Sequence, residues 1–379
     1  MKFAALWFSL CLSPFLLTGC WSAKELNESA LVAGVGFDCI HHKYMLTAQI
    51  LQPGKLTPKA KGKSETAVFI ASSTGKTVFQ SIRNFPDHIS RKLFWSHCRL
   101  FVIGRDLANQ SVTQTLDWFY RNQELRPLSY VALAERRAID LRLIKTHLDP
   151  IPAYELADAI DSLADTSDAP IVTLKDFMRG TASPIGVAYL PILSVHRKGE
   201  LSISGTGVFL HDRLVGTLNT DESRALLTLN GQVKSGTLVI PALAQHGAQS
   251  ANEFMTFEIM EEHTSKEVRF HLGNPTVIYH IHYVVDIADD PSRVVHSKQE
   301  YQTLTLMSER HIKRQVLTCI GRLKGYHADI IGAGDAIHRA NPTVWHRLMH
   351  QWDEAFSKVS IQLDVSVLIR HEGLIQARY

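Results

Sequence analysis

The sequence predicts an α+β fold, a multi-domain ectodomain in which helices pack on mixed or antiparallel sheets behind an N-terminal export signal. Three observations carry that class. Val359, Ile361, Leu363, Val365, Val367 and Ile369 alternate with mostly polar residues, the period-two pattern of a strand with one buried face. From Gln299 to Lys324, Leu304, Met307, Ile312, Val316, Ile320 and Leu323 recur at helical spacing, which describes a long amphipathic helix. In the second half, strand patterns come in runs before the helices, which favours segregated layers over a doubly wound sheet. The 379 residues, 45% apolar and 20% charged, suffice for two or three domains with ordinary cores.

The first residues read as a signal. Lys2 supplies a positive start, "FAALWFSLCLSPFLL" an apolar run, and Thr18 and Gly19 small residues before Cys20. A spanning helix needs about 20 apolar residues, and this shorter run carries Pro14. Leu17-Thr18-Gly19-Cys20 resembles the bacterial lipobox, in which the cysteine sulfur receives a diacylglycerol before the peptide is cut. Residues 1–19 are therefore expected to be a lipoprotein signal peptide and Cys20 the lipid attachment site. Two or more acyl chains hold a protein stably at a membrane where one does not.

Behind the signal, "LVAGVGFDC" and "KYMLTAQIL" flank "IHH" and form a hairpin, with Tyr44, Leu46, Ala48 and Ile50 on one face. "QPGKLTPKAKGKS" is an exposed loop, "TAVFIAS" a strand, and "GKTVFQSIRNFPDHIS" a helix ending near Pro86. "RKLFWSHCRLFVIG" reads as one buried strand, "SVTQTLDWFYRNQEL" as a helix with Val112, Leu116 and Phe119 on one side, and "PLSYVALAE" as a strand. Prolines interrupt a helical region over 140–200, where "TLKDFMRGTASP" is a short helix. The polar "SVHRKGE" marks the expected boundary between an N-terminal part, 20–197, and a C-terminal part, 198–379. There "SISGTGVFL" and "LVGTL" form a hairpin, and "NTDESRALLTLNG" a helix capped by Thr220 and ended by Asn230-Gly231. "GTLVIP", "EFMTFEIM", "EVRFHL" and "TVIYHIHYVVDI" are strands. "PTVWHRLMHQWDEAF" is a single helix with Pro342 inside its start and Trp345, Met349, Trp352 and Phe356 on one stripe.

Composition and motifs argue against most chemistries. Beyond Lys2, 39 Lys and Arg face 37 acids, a balance of +2 that gives no support to nucleic-acid binding. Apart from the signal, no apolar stretch has bilayer length. Cys39, Cys98 and Cys319 remain after Cys11 and Cys20 are set aside; they read as core thiols, with one Cys39–Cys98 bridge open in an oxidising compartment. "STGKT" at 73–77 lacks the first glycine of a phosphate loop, since Ile70 stands there. "IIGAGD" lacks the third glycine of a dinucleotide fingerprint and reads as a turn, with Asp335 capping the next helix. His346 and His350 are four apart but read as a solvated face; His280 and His282 share a strand face, and His41 and His42 a turn. Arg121, Glu124 and Arg126 read as a salt-bridged helix end or a partner contact. No catalytic, cofactor or metal residue is assigned.

Five segments together, "GCWSAKELNESALVAGVGFD", "RKLFWSHCRLFVIGRDLA", "DWFYRNQELRP", "GTGVFLHDRLVGTLNTDESRALLTLNG" and "HADIIGAGDAIHRANPTVWHRLMHQWDEAF", resemble the Ger(x)C lipoproteins, the C subunits of nutrient germinant receptors in bacterial spores. The resemblance runs from Cys20 nearly to the C-terminus. Ala333 departs from it, at a position the family often fills with an aromatic residue. It implies a non-enzymatic lipoprotein on the outer face of the cytoplasmic membrane, the spore inner membrane. The implied partners are a membrane-embedded A subunit and a transporter-like B subunit, with Cys20 carrying the lipid and a groove between domains as the expected interface. The alternative is a lipid-anchored solute-binding protein, whose lobes would show regularly alternating strands and helices around a cleft.

Overall fold

The computed structural model describes residues 29–55, 67–87, 89–144, 146, 148–196, 199–242, 254–290 and 298–370. The signal, Cys20 and most of the Lys- and Pro-rich loop lie outside them. The fold is α+β, with two sheets and helices packed on both.

The first sheet starts with β1 (Ser29–Ile40) and β2 (Lys43–Leu51), an antiparallel hairpin turned at His41 and His42, both at positive φ. Leu46, Ala48 and Ile50 of β2 enter the core as their alternation requires. β3 (Val68–Gly75) pairs with β2, and Thr77 caps α1 (Val78–Arg83) by accepting from Gln80 N at 3.0 Å.

The segment read as one buried strand is two, β4 (Lys92–Phe94) and β5 (Leu100–Ile103). Both run parallel to β1, with Ser29 opposite Lys92 and Gly34 opposite Leu100. While β1 advances from 29 to 34 its partner advances from 92 to 100, so the surplus loops out, closed by Cys98 N donating to Trp95 O at 2.9 Å. The detour places Trp95 in the core against Trp118, with ring centroids 4.9 Å apart.

α2 (Arg105–Gln110) and α3 (Thr113–Arg121) follow, and then β6 (Tyr130–Ala134), parallel to β5. α4 (Pro152–Asp161) and α5 (Leu174–Ala182) lead to β7 (Val187–Val195), parallel to β6, and β8 (Leu201–Leu210) and β9 (Arg213–Leu218) close the sheet antiparallel. The order is β3-β2-β1-β5-β6-β7-β8-β9, with β4 beside β1. One buried cluster gathers Phe37, Phe101, Trp118 and Phe119, and another Leu100, Val102, Leu156 and Ile160. Nearly continuous burial along β1, β5 and β6 is what covering both faces of a sheet demands.

The polar stretch after residue 194 is the connection of the β7–β8 hairpin, so the first sheet runs through it. α6 (Thr220–Leu229) follows β9. Its cap is Asn219 and not Thr220: Asn219 Oδ1 accepts from Glu222 N, and Glu222 Oε2 accepts from Asn219 N, a capping box. Gly231, at φ +62, lies just past its end.

The second sheet holds β10 (Thr237–Pro241), β11 (Phe254–His271), β12 (Asn274–Asp289) and β13 (Ser360–Ile369) in that order. The two strands read within 254–271 are one strand, bent by register shifts at Thr256/Phe257 and Ile259/Glu261. β13 runs parallel to β12, making this sheet mixed as well. Between them come α7 (Lys298–Gly325), α8 (Ala333–Ala340), α9 (Pro342–Leu348) and α10 (Trp352–Lys358). The stripe Leu304, Ile312, Val316, Ile320 and Leu323 of α7 is buried as its spacing predicts. The helix expected over 342–356 is broken by a 3-10 turn at Met349–Gln351, which lets Trp345 and Trp352 meet edge to face at 5.0 Å.

Candidate functional site

Several connections tie the first sheet and its helices to the C-terminal core. Arg224 pairs with Asp168 at 2.5 Å, Ser167 Oγ donates to Ser235 O at 2.7 Å, and Tyr189 Oη donates to Gln232 Oε1 at 3.2 Å. His211 meets Asp353 at 3.2 Å, and the Tyr326 hydroxyl donates to Thr217 O at 3.1 Å. Gly216 lies so close beneath the Tyr326 ring that a Cβ there would overlap it. Between these ties lies a groove of about 860 Å³, where α5 and the start of β7 face Asn230, Gln232, Lys266 and α8.

The C-terminal wall of the groove is built around one buried carboxylate. Asp329 Oδ1 accepts from Ala333 N at 3.0 Å, and Oδ2 accepts from Gly334 N at 2.6 Å and from Trp352 Nε1 at 3.0 Å. The helix start expected to be capped by Asp335 is thus held by Asp329, and Asp335 sits exposed in the first turn. Burial raises the Asp329 pKa, while its three donors and Lys266 pull the other way. The bend of the loop needs φ +69 at Gly332, a conformation glycine adopts without penalty.

This turn points the Ile331 carbonyl at two donors, Lys266 Nζ at 2.6 Å and Tyr279 Oη at 3.0 Å. The ammonium also lies 5.3 Å from the centroid of the Tyr279 ring. Burial lowers the Lys266 pKa; the Asp329 carboxylate opposes this, Arg339 adds to the lowering, and Asp335 opposes it. Tyr189, Phe177, Trp345 and Met349 give the groove its apolar surface, and Arg179 on its rim is paired with Asp176 at 3.1 Å.

A second concavity, about 670 Å³, is predominantly apolar and lies between α1 and α3. Val78, Ile82, Phe85, Leu93, Trp95 and Trp118 line it. Phe79 stands at its edge 57% exposed, with the Arg83 guanidinium carbon 5.1 Å from its ring centroid. Lys92, which pairs with Ser29 at the first residue of β1, is on the same rim.

The other residues singled out by the sequence have local roles. Thr77 of "STGKT" is a helix cap. Cys39 Sγ contacts Gln110 Oε1 at 3.5 Å and Cys98 Sγ contacts Leu100 O at 3.4 Å; both are free thiols, as is Cys319. His280 bonds to Asp364 at 3.0 Å and Glu267 at 3.2 Å, which raises its pKa, and His282 meets Ser366 at 2.9 Å. His346 is exposed on α9 and His350 is exposed within the 3-10 turn that breaks the helix. Arg121 pairs back to Asp117 at 2.8 Å. Among the described residues no three His, Cys, Asp or Glu side chains converge as a metal site, and no helix is long and apolar enough to cross a membrane.

With the geometry in hand, two family models account for nearly the whole chain. The spore germination protein N-terminal domain matches residues 22–195, and the spore germination B3/GerAC-like C-terminal domain matches 204–373. The chain belongs to the Ger(x)C family of spore germination proteins. Among curated Ger(x)C relatives, spore germination protein B3 of Bacillus subtilis is 26% identical, with 99% of this chain and 98% of the relative covered. Spore germination protein A3 of the same organism is 24% identical with 98% of each covered, and spore germination protein KC is 22% identical with 96% and 95% covered. The crystal structure of the GerBC protein superposes with a TM-score of 0.59 over 89% of this chain and 96% of that one, at 21% identity. The Ger(x)C fold is therefore shared.

Proposed function

We propose that this chain is the lipid-anchored C subunit of a nutrient germinant receptor, acting in assembly and signalling without enzymatic chemistry of its own. The observation that carries the reading is the match of both germination domains, 22–195 and 204–373, beginning directly behind the lipobox cysteine. Cys20 is the lipid attachment site and places the ectodomain on the outer face of the spore inner membrane. The family match favours this reading over a solute-binding protein.

The partner contact belongs to the apolar groove between α1 and α3. Interface centres need apolar, aromatic surface that can be desolvated, which Phe79 supplies beside the buried Trp95 and Trp118, with Arg83, Lys92, Asp117, Arg121 and Glu124 also lining the groove; the groove between the halves, expected as the interface, is the more polar of the two. Its rim residue Lys92 is the β-partner of Ser29, so the apolar groove lies near the end of the chain that leads back to Cys20. Nine residues span at most about 30 Å when extended. That keeps the groove within reach of a membrane-embedded A or B subunit.

The test is dipicolinic acid release from spores carrying Cys20→Ala, beside wild type and a deletion, across a nutrient panel. Loss of the response to the same nutrients as the deletion supports the lipid-anchored receptor reading, and normal germination of the Cys20→Ala spores shows the tether to be dispensable. Co-purification of A and B subunits after mild solubilisation, lost with Phe79→Asp, tests the contact.

A further inference from the structure

Lys266 is a cation taken largely out of water with too few partners. An ammonium carries three donors, and among the described residues the fold supplies one acceptor, Ile331 O, plus the Tyr279 ring. No carboxylate of the described residues lies within ion-pair distance of Nζ; Asp329 is committed to Ala333, Gly334 and Trp352. Lys266 nevertheless lines the groove between the halves. Gly332 keeps that space clear: a Cβ there would stand 3.1 Å from Nζ. Arg339, on α8, lines the same wall and adds a second positive charge, with the exposed Asp335 carboxylate one helical turn before it. Across the groove, Phe177, Ile185 and Tyr189 offer apolar contact beside this charge.

We propose that this groove binds a small organic carboxylate with a short apolar body, its carboxylate on Lys266 Nζ and Arg339 and its apolar part against Tyr189 and Trp345. The carboxylate supplies the acceptors that Lys266 lacks, and the apolar part packs against Tyr189, the partly exposed ring of the wall. A buried charge recovers its desolvation cost only when paired and hydrogen-bonded, so an anion gains more here than at a surface lysine. The site is independent of the lipid on Cys20 and of the partner groove.

Calorimetric titration of the purified chain with hexanoate, L-leucine and hexylammonium tests it. Hexanoate and L-leucine share the carboxylate and differ in the α-ammonium; hexylammonium has the apolar body without the anion. The expected result is saturable binding of at least one carboxylate and none of hexylammonium, weakened at least about tenfold by Lys266→Met. Arg339→Gln, at an exposed position, weakens binding several-fold without touching the core and serves if Lys266→Met does not fold. Heat-denaturation midpoints of both variants report whether they fold. Absence of saturable binding by either carboxylate, equal binding of hexylammonium, or full affinity in a folded Lys266→Met or Arg339→Gln chain overturns the proposal.

Discussion

The indole N–H of Trp352 donates to Asp329 Oδ2 at 3.0 Å, across 23 residues of chain, in the middle of the C-terminal core. The same oxygen takes Gly334 N, so one carboxylate fixes the start of α8 and the position of α10 together. Asp329→Asn puts an amide N–H against one of these donors, and it is expected to destabilise the fold by about 2–4 kcal/mol. Trp352→Phe keeps most of the ring but removes one donor, at about 1–2 kcal/mol. Urea unfolding read by intrinsic fluorescence gives both numbers, and equal small effects would mean the carboxylate is not the organiser.

Glu262 is expected to make stability pH-dependent. Burial pushes its carboxyl up from 4.5 to about 7, against the Thr264 hydroxyl that donates to Oε1 at 2.6 Å. A raised carboxyl binds its proton more tightly folded than unfolded. Its contribution is complete below pH 4.5 and is lost as pH rises through about 7. Melting temperature should therefore fall by a few degrees between pH 5 and pH 8 on this account, and Glu262→Gln should flatten that part of the profile. An unchanged slope in the variant would remove Glu262 from the explanation.

The start of α6 separates two adjacent residues. Asn219→Ala removes an acceptor from Glu222 N and should cost about 1 kcal/mol. Thr220→Ala should stay within about 0.5 kcal/mol, because its side chain is not the cap. Chemical denaturation of the pair decides which residue begins the helix.

Gly216 and Tyr326 join the first sheet to the end of α7. Gly216→Ala drives a methyl into the ring and should cost about 1–3 kcal/mol. With Tyr326→Ala already in place, the same change should cost much less. Additive effects in this double-mutant cycle would contradict the close approach.

Local order was legible wherever the period was clean. The β1–β2 hairpin, α7 and β13 each announce themselves by spacing, and the α+β class follows from them. The break between β4 and β5 was not legible, because it exists only in the register against β1; within "RKLFWSHCRLFVIG" the apolar residues carry no mark of it. β11 looked like two strands because its middle, Glu261–Lys266, is polar on both faces, with Glu261, His263 and Ser265 exposed and Glu262, Thr264 and Lys266 half-buried. The cap of α8 escaped for a similar reason: Asp329 reaches forward to Ala333 and Gly334 from before the turn, and its third donor comes from α10. The groove itself gathers segments near 177, 189, 230, 266 and 339, which only the tertiary fold brings together. Lys266 is an ordinary lysine in sequence, and its isolation becomes visible only beside Ile331 and Tyr279.

β1 lies inside its sheet, with β2 along one side and β4 and β5 along the other. Tension entering at Ser29 and directed along the strand therefore loads both ladders in shear. Bonds that run across a strand resist sliding together, whereas an edge strand peeled from its end loses them one at a time. The first described strand is in this sense a mechanical anchorage, built to carry a pull entering at Ser29 into the whole sheet.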